Sequence, residues 1–196
     1  MAADNEKLAV GETIAARRLV AVSGEAVRLP DPARLTHLQF RRFAGCPVCD
    51  LHLRALARRS GEIAAAGIVE VVLFHSSASD LRPYVAELPF LVVPDPGKAL
   101  YREFGVESSP RALTDPRAWG AIVRGVAASL GGILFRGRAV PPLNPEGGRF
   151  GLPADILIGP DGRVLAAHYG EHADDQWSVD ELLAQAAASA RAARGS

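Results

Sequence analysis

Both cysteines of the chain, Cys46 and Cys49, stand three positions apart where the pattern of a buried strand turns into that of a helix. The run Leu38-Gln39-Phe40-Arg41-Arg42-Phe43 reads as a strand entering the core. Pro47 to Ala66 carries Leu51, Leu53, Leu56 and Ile63 against Arg54, Arg58, Arg59 and Glu62, which is the spacing of an amphipathic helix. The pair therefore lies on a strand-to-helix turn. Gly45 allows the tight turn, Cys46 falls at the N-cap, and Pro47 takes the first helical position, where a missing N–H costs nothing. Orphan amides and the positive end of the helix dipole favour a thiolate at Cys46, and Arg41 and Arg42 stand ready to add to that. Cys49 is one helical turn on, within reach for a disulfide. The expectation is an exposed, low-pKa Cys46 and a Cys49 set a turn inside.

A chain of 196 residues with 48% hydrophobic side chains is long enough to bury a sizeable core, and residues 1–196 are expected to form one domain with 1–10 loose. Its 22 basic and 22 acidic residues cancel, so charge points to neither nucleic acid nor an anionic membrane as a partner. No apolar run stands out at the roughly 20 residues of a membrane span. Met1 to Lys7 is polar with no apolar segment behind it. The expectation is a soluble, cytoplasmic protein. A lone CxxC is no disulfide framework, and a reducing compartment cycles such a pair rather than using it as a staple.

In chain order, Arg18 to Val22 and Ala26 to Leu29 flank Ser23-Gly24-Glu25 as a hairpin. Ile68 to Phe74 is nearly all apolar, as buried parallel strands are, so the strand at Thr36 to Phe43, the helix after it and this run make a βαβ unit. Ser79 or Asp80 caps a short helix to about Glu87, and Pro89 to Pro94 is a further short strand. Asp95-Pro96 opens a helix stopped by Gly105, and Asp115-Pro116 opens another to about Leu130. Gly131 to Gly151, rich in Gly, Pro and Arg, reads as a long loop. Ala154 to Ile158, the turn Gly159-Pro160-Asp161-Gly162 and Arg163 to Tyr169 form an antiparallel hairpin. The capping-box spacing from Ser178 to Glu181 then opens a terminal helix.

A CxxC opening a helix after a strand, then βαβ, then X-Pro leading into a hairpin and a last helix, resembles the thioredoxin-like fold. Within it the chain is similar to the peroxiredoxin-like, AhpC/TSA-related family. Three segments carry the likeness: Arg42 to Cys49, Asp95 to Gly105, and Gly151 to Tyr169 running into His172 to Leu183. The resemblance implies an α/β fold with a mixed central sheet, helices on both faces, an N-terminal β-hairpin and a helix-plus-loop insertion before the last hairpin. It also places Pro153 as the cis-proline facing the dithiol, with Leu152 presenting backbone to a substrate and Pro47, between the two cysteines, as a further substrate-positioning residue. Peroxiredoxins carry a proline seven residues before their reactive cysteine and a threonine or serine three before. Here those positions hold Gln39 and Phe43, and the family's arginine aligns with Pro153.

The resulting expectation is a thiol–disulfide oxidoreductase or antioxidant enzyme of the peroxiredoxin-like class. Cys46 attacks a disulfide or a peroxide, Cys49 resolves the product to an internal disulfide, and a thioredoxin-like or other thiol reductant restores the pair. No cofactor is called for, and a homodimer is compatible with the pattern. The alternative is a thioredoxin-fold module that senses redox state or binds copper or zinc without turnover. Cys46, Cys49 and His52 supply three local ligands where zinc wants four, with His168 a distant candidate for copper. His168, Glu171, His172, Asp174 and Asp175 crowd one segment, most simply as a solvated strand end. His75 reads as structural, and Trp119 and Trp177 as packing residues, with Trp119 placed to line a groove.

Overall fold

A computed structural model of the protein describes residues 6–137, 139–141, 145 and 148–194. Two short strands, β1 (Arg17–Val20) and β2 (Ala26–Leu29), pair antiparallel as the early hairpin. The main sheet has five strands in the order β5-β4-β3-β6-β7. β3 (Leu35–Arg41), β4 (Ile68–Phe74) and β5 (Leu91–Pro94) run parallel, while β6 (Ala154–Ile158) and β7 (Val164–Tyr169) are antiparallel to their neighbours. The sheet is mixed, and helices cover both faces.

Period-two alternation along the central strands divides the interior into two cores. Leu38 and Phe40 of β3, Val71 and Leu73 of β4, and Ile156 and Ile158 of β6 point to one face, where Val27 and Leu29 of the hairpin and α4 (Ala99–Glu103) pack. Val72 and Phe74 of β4 and Leu157 of β6 point to the other, beneath α1 (Pro47–Arg58), α2 (Ser60–Ala65), α3 (Ala78–Val85), α6 (Pro116–Arg136) and α7 (Val179–Arg194). The dithiol belongs to this second face. A short α5 (Arg111–Thr114) leads into α6.

Helix starts follow the capping grammar. Asp95 accepts from the amides of Ala99 and Leu100 at 3.0 and 2.8 Å, Asp115 from Arg117 at 2.9 Å, and Ser178 and Glu181 exchange the two bonds of a capping box. Several boundaries differ from the sequence expectation. The expected helix from Pro47 to Ala66 breaks at Arg59, which leaves the helical region at φ −113°. Ser77, not Ser79 or Asp80, caps α3 by accepting from the Asp80 amide at 3.2 Å. Residues 6–10 are not loose: the Leu8 amide donates to the Tyr169 hydroxyl at 2.9 Å, and the next residue pair along, Gly11 to Val164, bonds at 2.8 Å. Residues 1–5 lie outside the described residues.

The largest difference is α6. It runs on to Arg136 and ends on Gly137 in the left-handed region, so residues 131–136, expected as loop, are helix. Its stretch Pro116–Phe135 has the length and mean hydropathy, 1.5, of a membrane-crossing helix, contrary to the sequence expectation that nothing in the chain reaches that size. The helix packs on α1. A Cβ at Gly125 would lie 2.9 Å from the Pro47 carbonyl, so the close crossing requires glycine there. Of the expected loop, positions 138, 142–144 and 146–147 lie outside the described residues.

Candidate active site

The turn before α1 is built as its residues dictate. Gly45 has φ 76°, and a Cβ on it would sit 2.9 Å from the Tyr84 ring. The Ala44 amide donates to Ser76 Oγ at 2.9 Å, tying the turn to the end of β4. Cys46 is the N-cap of α1 and Pro47 opens it, as expected. Cys46 Sγ accepts from the Cys49 amide at 3.4 Å and from Arg42 Nη2 at 3.0 Å. The other end of the Arg42 fork, Nη1, donates to the Arg149 carbonyl at 3.2 Å and anchors the segment that returns to β6.

Both cysteines are free thiols, and each is only 2% exposed. The expectation of an exposed Cys46 fails, because the Gly45 turn and α6 close over the start of α1. Burial raises both thiols, and the remaining influences divide them. A hydrogen bond from Cys46 and the charge of Arg42 bring Cys49 down to about 6, while Cys46 is pushed well up by burial and then by its bond to Cys49 and that neighbour's charge. The low pKa thus falls on Cys49 in the reduced pair rather than on Cys46 alone. The two sulfurs titrate as one unit that loses its first proton readily and holds its second. Arg42 keeps its own proton despite burial, because both sulfurs favour its charged form.

The pair opens onto a cleft of about 540 Å³ between α1, α3 and the far end of α6. Leu53, Phe74, Leu81, Val85 and Leu88 give it apolar walls, and Asp50, Arg54 and Glu87 stand together at its polar edge, with Arg54 bridging the two acids at 2.9 and 3.6 Å. Ser129, Gly137, Ala139 and Pro141 form the remaining side.

Leu152 and Pro153 are not part of this cleft. They line a separate small groove with Val106, Glu107, Tyr169 and Gly170, where the Leu152 amide donates to the Glu107 carbonyl at 3.0 Å and the Pro153 carbonyl accepts from Gly170 at 2.9 Å. The Leu152–Pro153 bond is trans; among the described residues the cis bond is Leu29–Pro30. Leu152 already spends its amide on Glu107, so the expected substrate-pairing backbone is occupied. What that segment brings to the dithiol is Gly151, whose Cβ position lies 3.1 Å from His75 Nε2 and 3.6 Å from the Arg42 side chain.

Beneath α1 lies a cluster the sequence reading did not assemble. His37, Gln39 and Arg41 alternate along β3 toward the dithiol face, opposite Glu70 on β4 and Asp155 on β6. His37 donates Nδ1–H to Glu70 at 2.8 Å and Nε2–H to Asp155 at 3.1 Å. Arg41 Nη2 donates to Asp155 Oδ1 and to the Gln39 side-chain Oε1, each at 2.6 Å, and the Gln39 Nε2 donates on to Glu70. Asp155 also caps the Trp177 amide at 3.1 Å. The positive and negative groups balance, as buried charges must. His52, one turn past Cys49, faces Arg41 Nη2 at 3.3 Å rather than the sulfurs, and burial and Arg41 lower its pKa to about 3, so it is neutral. The local Cys46, Cys49 and His52 ligand set is therefore not formed. At the end of β7, His168 pairs with Asp175 at 2.8 Å and stacks on Trp177, and no three of the candidate ligands converge among the described residues.

Desolvation alone would lower the His37 pKa, yet the flanking Glu70 and Asp155 raise it to about 9. The folded state therefore holds a proton that the unfolded chain releases near 6.5, so this stabilisation is complete below 6.5 and is lost as pH climbs through 9. Urea unfolding should show stability falling by up to roughly 3 kcal/mol between pH 6.5 and 9.5. A His37→Gln variant should be less stable at pH 6.5 and lack this slope; a slope unchanged in the variant would assign it to other groups.

A five-stranded mixed sheet with a CxxC at the N-cap of the first long helix defines a thioredoxin-fold protein. The sequence model of the AhpC/TSA antioxidant enzyme family matches residues 55–172, beginning on α1 past both cysteines, and the chain belongs to that family. Among solved structures, peroxidoxin BcpB from Mycobacterium tuberculosis superposes with a TM-score of 0.64 at 16% identity over 91% of this chain and 96% of that one. A cysteine-to-serine mutant of peroxiredoxin 6 from Arenicola marina gives 0.67 at 13% over 95% and 75%. A thiol:disulfide interchange protein DsbE from Chlorobium tepidum gives 0.53 at 20% over 93% and 99%. At these identities the likenesses concern the fold. No curated protein matches the chain in sequence.

Proposed function

We propose that the protein is a dithiol oxidoreductase that reduces a small peroxide, with Cys46 as attacking and Cys49 as resolving sulfur. The observation that carries this reading is the buried Arg42 Nη2 at 3.0 Å from the Sγ of Cys46, a residue that lines an open cleft. Family membership supports redox chemistry in general. Arg42 supplies, from four residues upstream, a guanidinium that the alignment with Pro153 left missing. Burial of both sulfurs favours a small oxidant over a folded protein disulfide, which would need the cleft to open.

The reaction balances in two steps. Cys46 passes its proton to the neighbouring Cys49 thiolate and attacks the nearer peroxide oxygen, the O–O bond breaks, and the leaving alkoxide or hydroxide takes that proton from Cys49 while Cys46 becomes a sulfenic acid. Cys49 as thiolate then attacks the Cys46 sulfur and displaces hydroxide, which leaves as water, and the internal disulfide forms. Two electrons pass from the dithiol to the peroxide. A positive charge beside the departing oxygen lowers the first barrier. A thioredoxin-like or other thiol restores the pair by exchange. No cofactor enters this scheme, and a cytoplasmic location, where such thiols are kept reduced, belongs to it.

Stopped-flow mixing of the reduced protein with hydrogen peroxide, an organic hydroperoxide and a small disulfide tests the proposal. A peroxide should react fastest; a disulfide outpacing both returns the reading to thiol–disulfide exchange, and reaction with none leaves a module without turnover. Mass spectrometry then separates the roles. Cys49→Ser should trap a sulfenic acid on Cys46, and Cys46→Ser should abolish peroxide consumption. A Cys46→Ser protein that still consumes peroxide at the parent rate would reverse the assignment.

A further inference from the structure

A peroxide held against Cys46 lies between two walls. Arg42 answers it from the end of β3, 3.0 Å from the sulfur, and is not one of the residues that line the cleft. A donor on the cleft side has work to do as well, because negative charge gathers on the departing oxygen while the O–O bond breaks. Apart from the thiols, the polar side chains lining the cleft among the described residues are Asp50, Arg54, Tyr84, Glu87 and Ser129. Ionised Asp50 and Glu87 only accept, and Arg54 is bridged between them at 2.9 and 3.6 Å. Two hydroxyls remain.

Of these, Tyr84 is seated on the dithiol turn. It stands in the last turn of α3, and its ring lies so close to Gly45 that a Cβ there would fall 2.9 Å from ring carbons and 3.2 Å from the hydroxyl oxygen. Gly45 immediately precedes Cys46, and consecutive Cα atoms are about 3.8 Å apart, so the phenol oxygen stands one residue from the attacking cysteine. The hydroxyl donates to the Val140 carbonyl at 2.7 Å, and that bond is exposed. Water can take over the carbonyl, and an O–H rotor can turn to a ligand in the cleft while the ring stays in place. Burial, and then the charge of Asp80, raise the pKa of this phenol, so it holds its proton at neutral pH.

We propose that Tyr84 is a catalytic donor in the peroxide reaction, its hydroxyl turning from the Val140 carbonyl to the oxygen that departs as Cys46 attacks. This rests on the peroxide reading of the dithiol. The phenol keeps its proton: its O–H···O bond strengthens as charge gathers on the departing oxygen, and the proton that completes the alcohol or water comes from Cys49. The balance is therefore unchanged, with two electrons passing from sulfur to peroxide. A bound peroxide carries little charge on that oxygen, so the bond favours the transition state over the ground state.

Tyr84→Phe keeps the ring against Gly45 and removes only the hydroxyl. The full-length parent, Tyr84→Phe and Ser129→Ala, all reduced, are mixed in stopped flow with hydrogen peroxide and with an organic hydroperoxide, and each is alkylated with iodoacetamide across a range of pH. Alkylation uses the same dithiol but expels iodide, so it does not call on an oxyanion donor. Tyr84→Phe should react with both peroxides at least about tenfold more slowly. Its alkylation rate, alkylation pH profile and circular dichroism should match the parent. A Tyr84→Phe protein as fast as a reactive parent overturns the role of Tyr84 and leaves the peroxide reading standing, whereas a parent that consumes no peroxide overturns both. Alkylation that changes along with the peroxide rate would make the Tyr84–Val140 bond a latch over the cleft and not a donor. Slowing by Ser129→Ala alone would give the donor to α6.

Discussion

Asp155→Asn is expected to cost about 3–5 kcal/mol of folding stability, the size associated with breaking a buried ion pair from one side. Asp155 is wholly buried near the start of β6 and takes Arg41, His37 and the Trp177 amide onto its two oxygens. Desolvation opposes its charge, yet Arg41 and His37 hold its carboxyl far below the usual range, so the native state contains the anion. An amide in its place keeps the shape and offers N–H where two cations already donate. Arg41, fully buried, is then left with the Gln39 side chain and carbonyl oxygens. Small proteins have only about 5–15 kcal/mol to lose. Urea titration of the variant should show the lower midpoint with an unchanged slope, and if Asp155→Asn accumulates only as insoluble protein, the double change Arg41→Met with Asp155→Leu decides the matter. Removing both charges should restore much of the loss, since an apolar pair of similar volume replaces a costly buried ion pair. A double variant as unstable as the single one would show that the cluster matters for shape rather than charge.

That cluster marks a limit of what the linear sequence shows. His37, Gln39 and Arg41 stand at alternate positions of one strand, but the acids that answer them come from strands 31 to 118 residues away. Glu70 sits alone in an otherwise apolar strand and Asp155 alone in another. The available signal was alternate polar residues along one central strand and a lone acid in each of two others, a pattern that makes sense only when all of them point to one face. Local features were easier. The caps at Asp95, Asp115 and Ser178, the Gly159 to Gly162 turn and the dithiol junction are each set by residues within one helical turn of each other, and they stand where their chemistry puts them. Gly131 and Gly132 misled in the opposite direction. Two adjacent glycines read as a loop, yet α6 continues through them, with Gly132 on its buried side, where small residues let helices approach closely.

The site itself was half legible. Cys46, Cys49 and Pro47 could be placed from the strand-to-helix junction, whereas Pro153 rested on family likeness. Its trans bond and separate groove show how little a likeness at this distance fixes outside the motif. Arg42 was visible only as a nearby positive charge. Its side chain differs from that of Arg41 for a simple reason: Arg41 is the last residue of β3 and turns toward Asp155, whereas Arg42 lies past the strand, where the alternation no longer holds, and turns to the sulfur.

Arg42→Met should slow reaction of the reduced protein with peroxide by about 10²–10³-fold, the loss that follows removal of one preorganised donor to a developing oxyanion. Two effects combine in this figure. The guanidinium is the cation nearest the dithiol and helps bring its first deprotonation down to about 6 at Cys49, so without it the pair should lose that proton at higher pH. The peroxide's departing oxygen also loses its charged partner, and that part should persist at a pH where the variant is fully ionised. The pH profile of alkylation by a small electrophile reports the first effect, and the peroxide rate on the alkaline plateau reports the second. Arg42→Lys should recover part of the pKa shift, because a charge returns, but less of the plateau rate, because a single ammonium cannot reach Cys46 and the Arg149 carbonyl together in the geometry of the fork. A change confined to thermal stability, with the alkylation profile and the plateau rate both unmoved, would reduce Arg42 to a tether for the segment at Arg149 and remove the observation on which the peroxide reading rests.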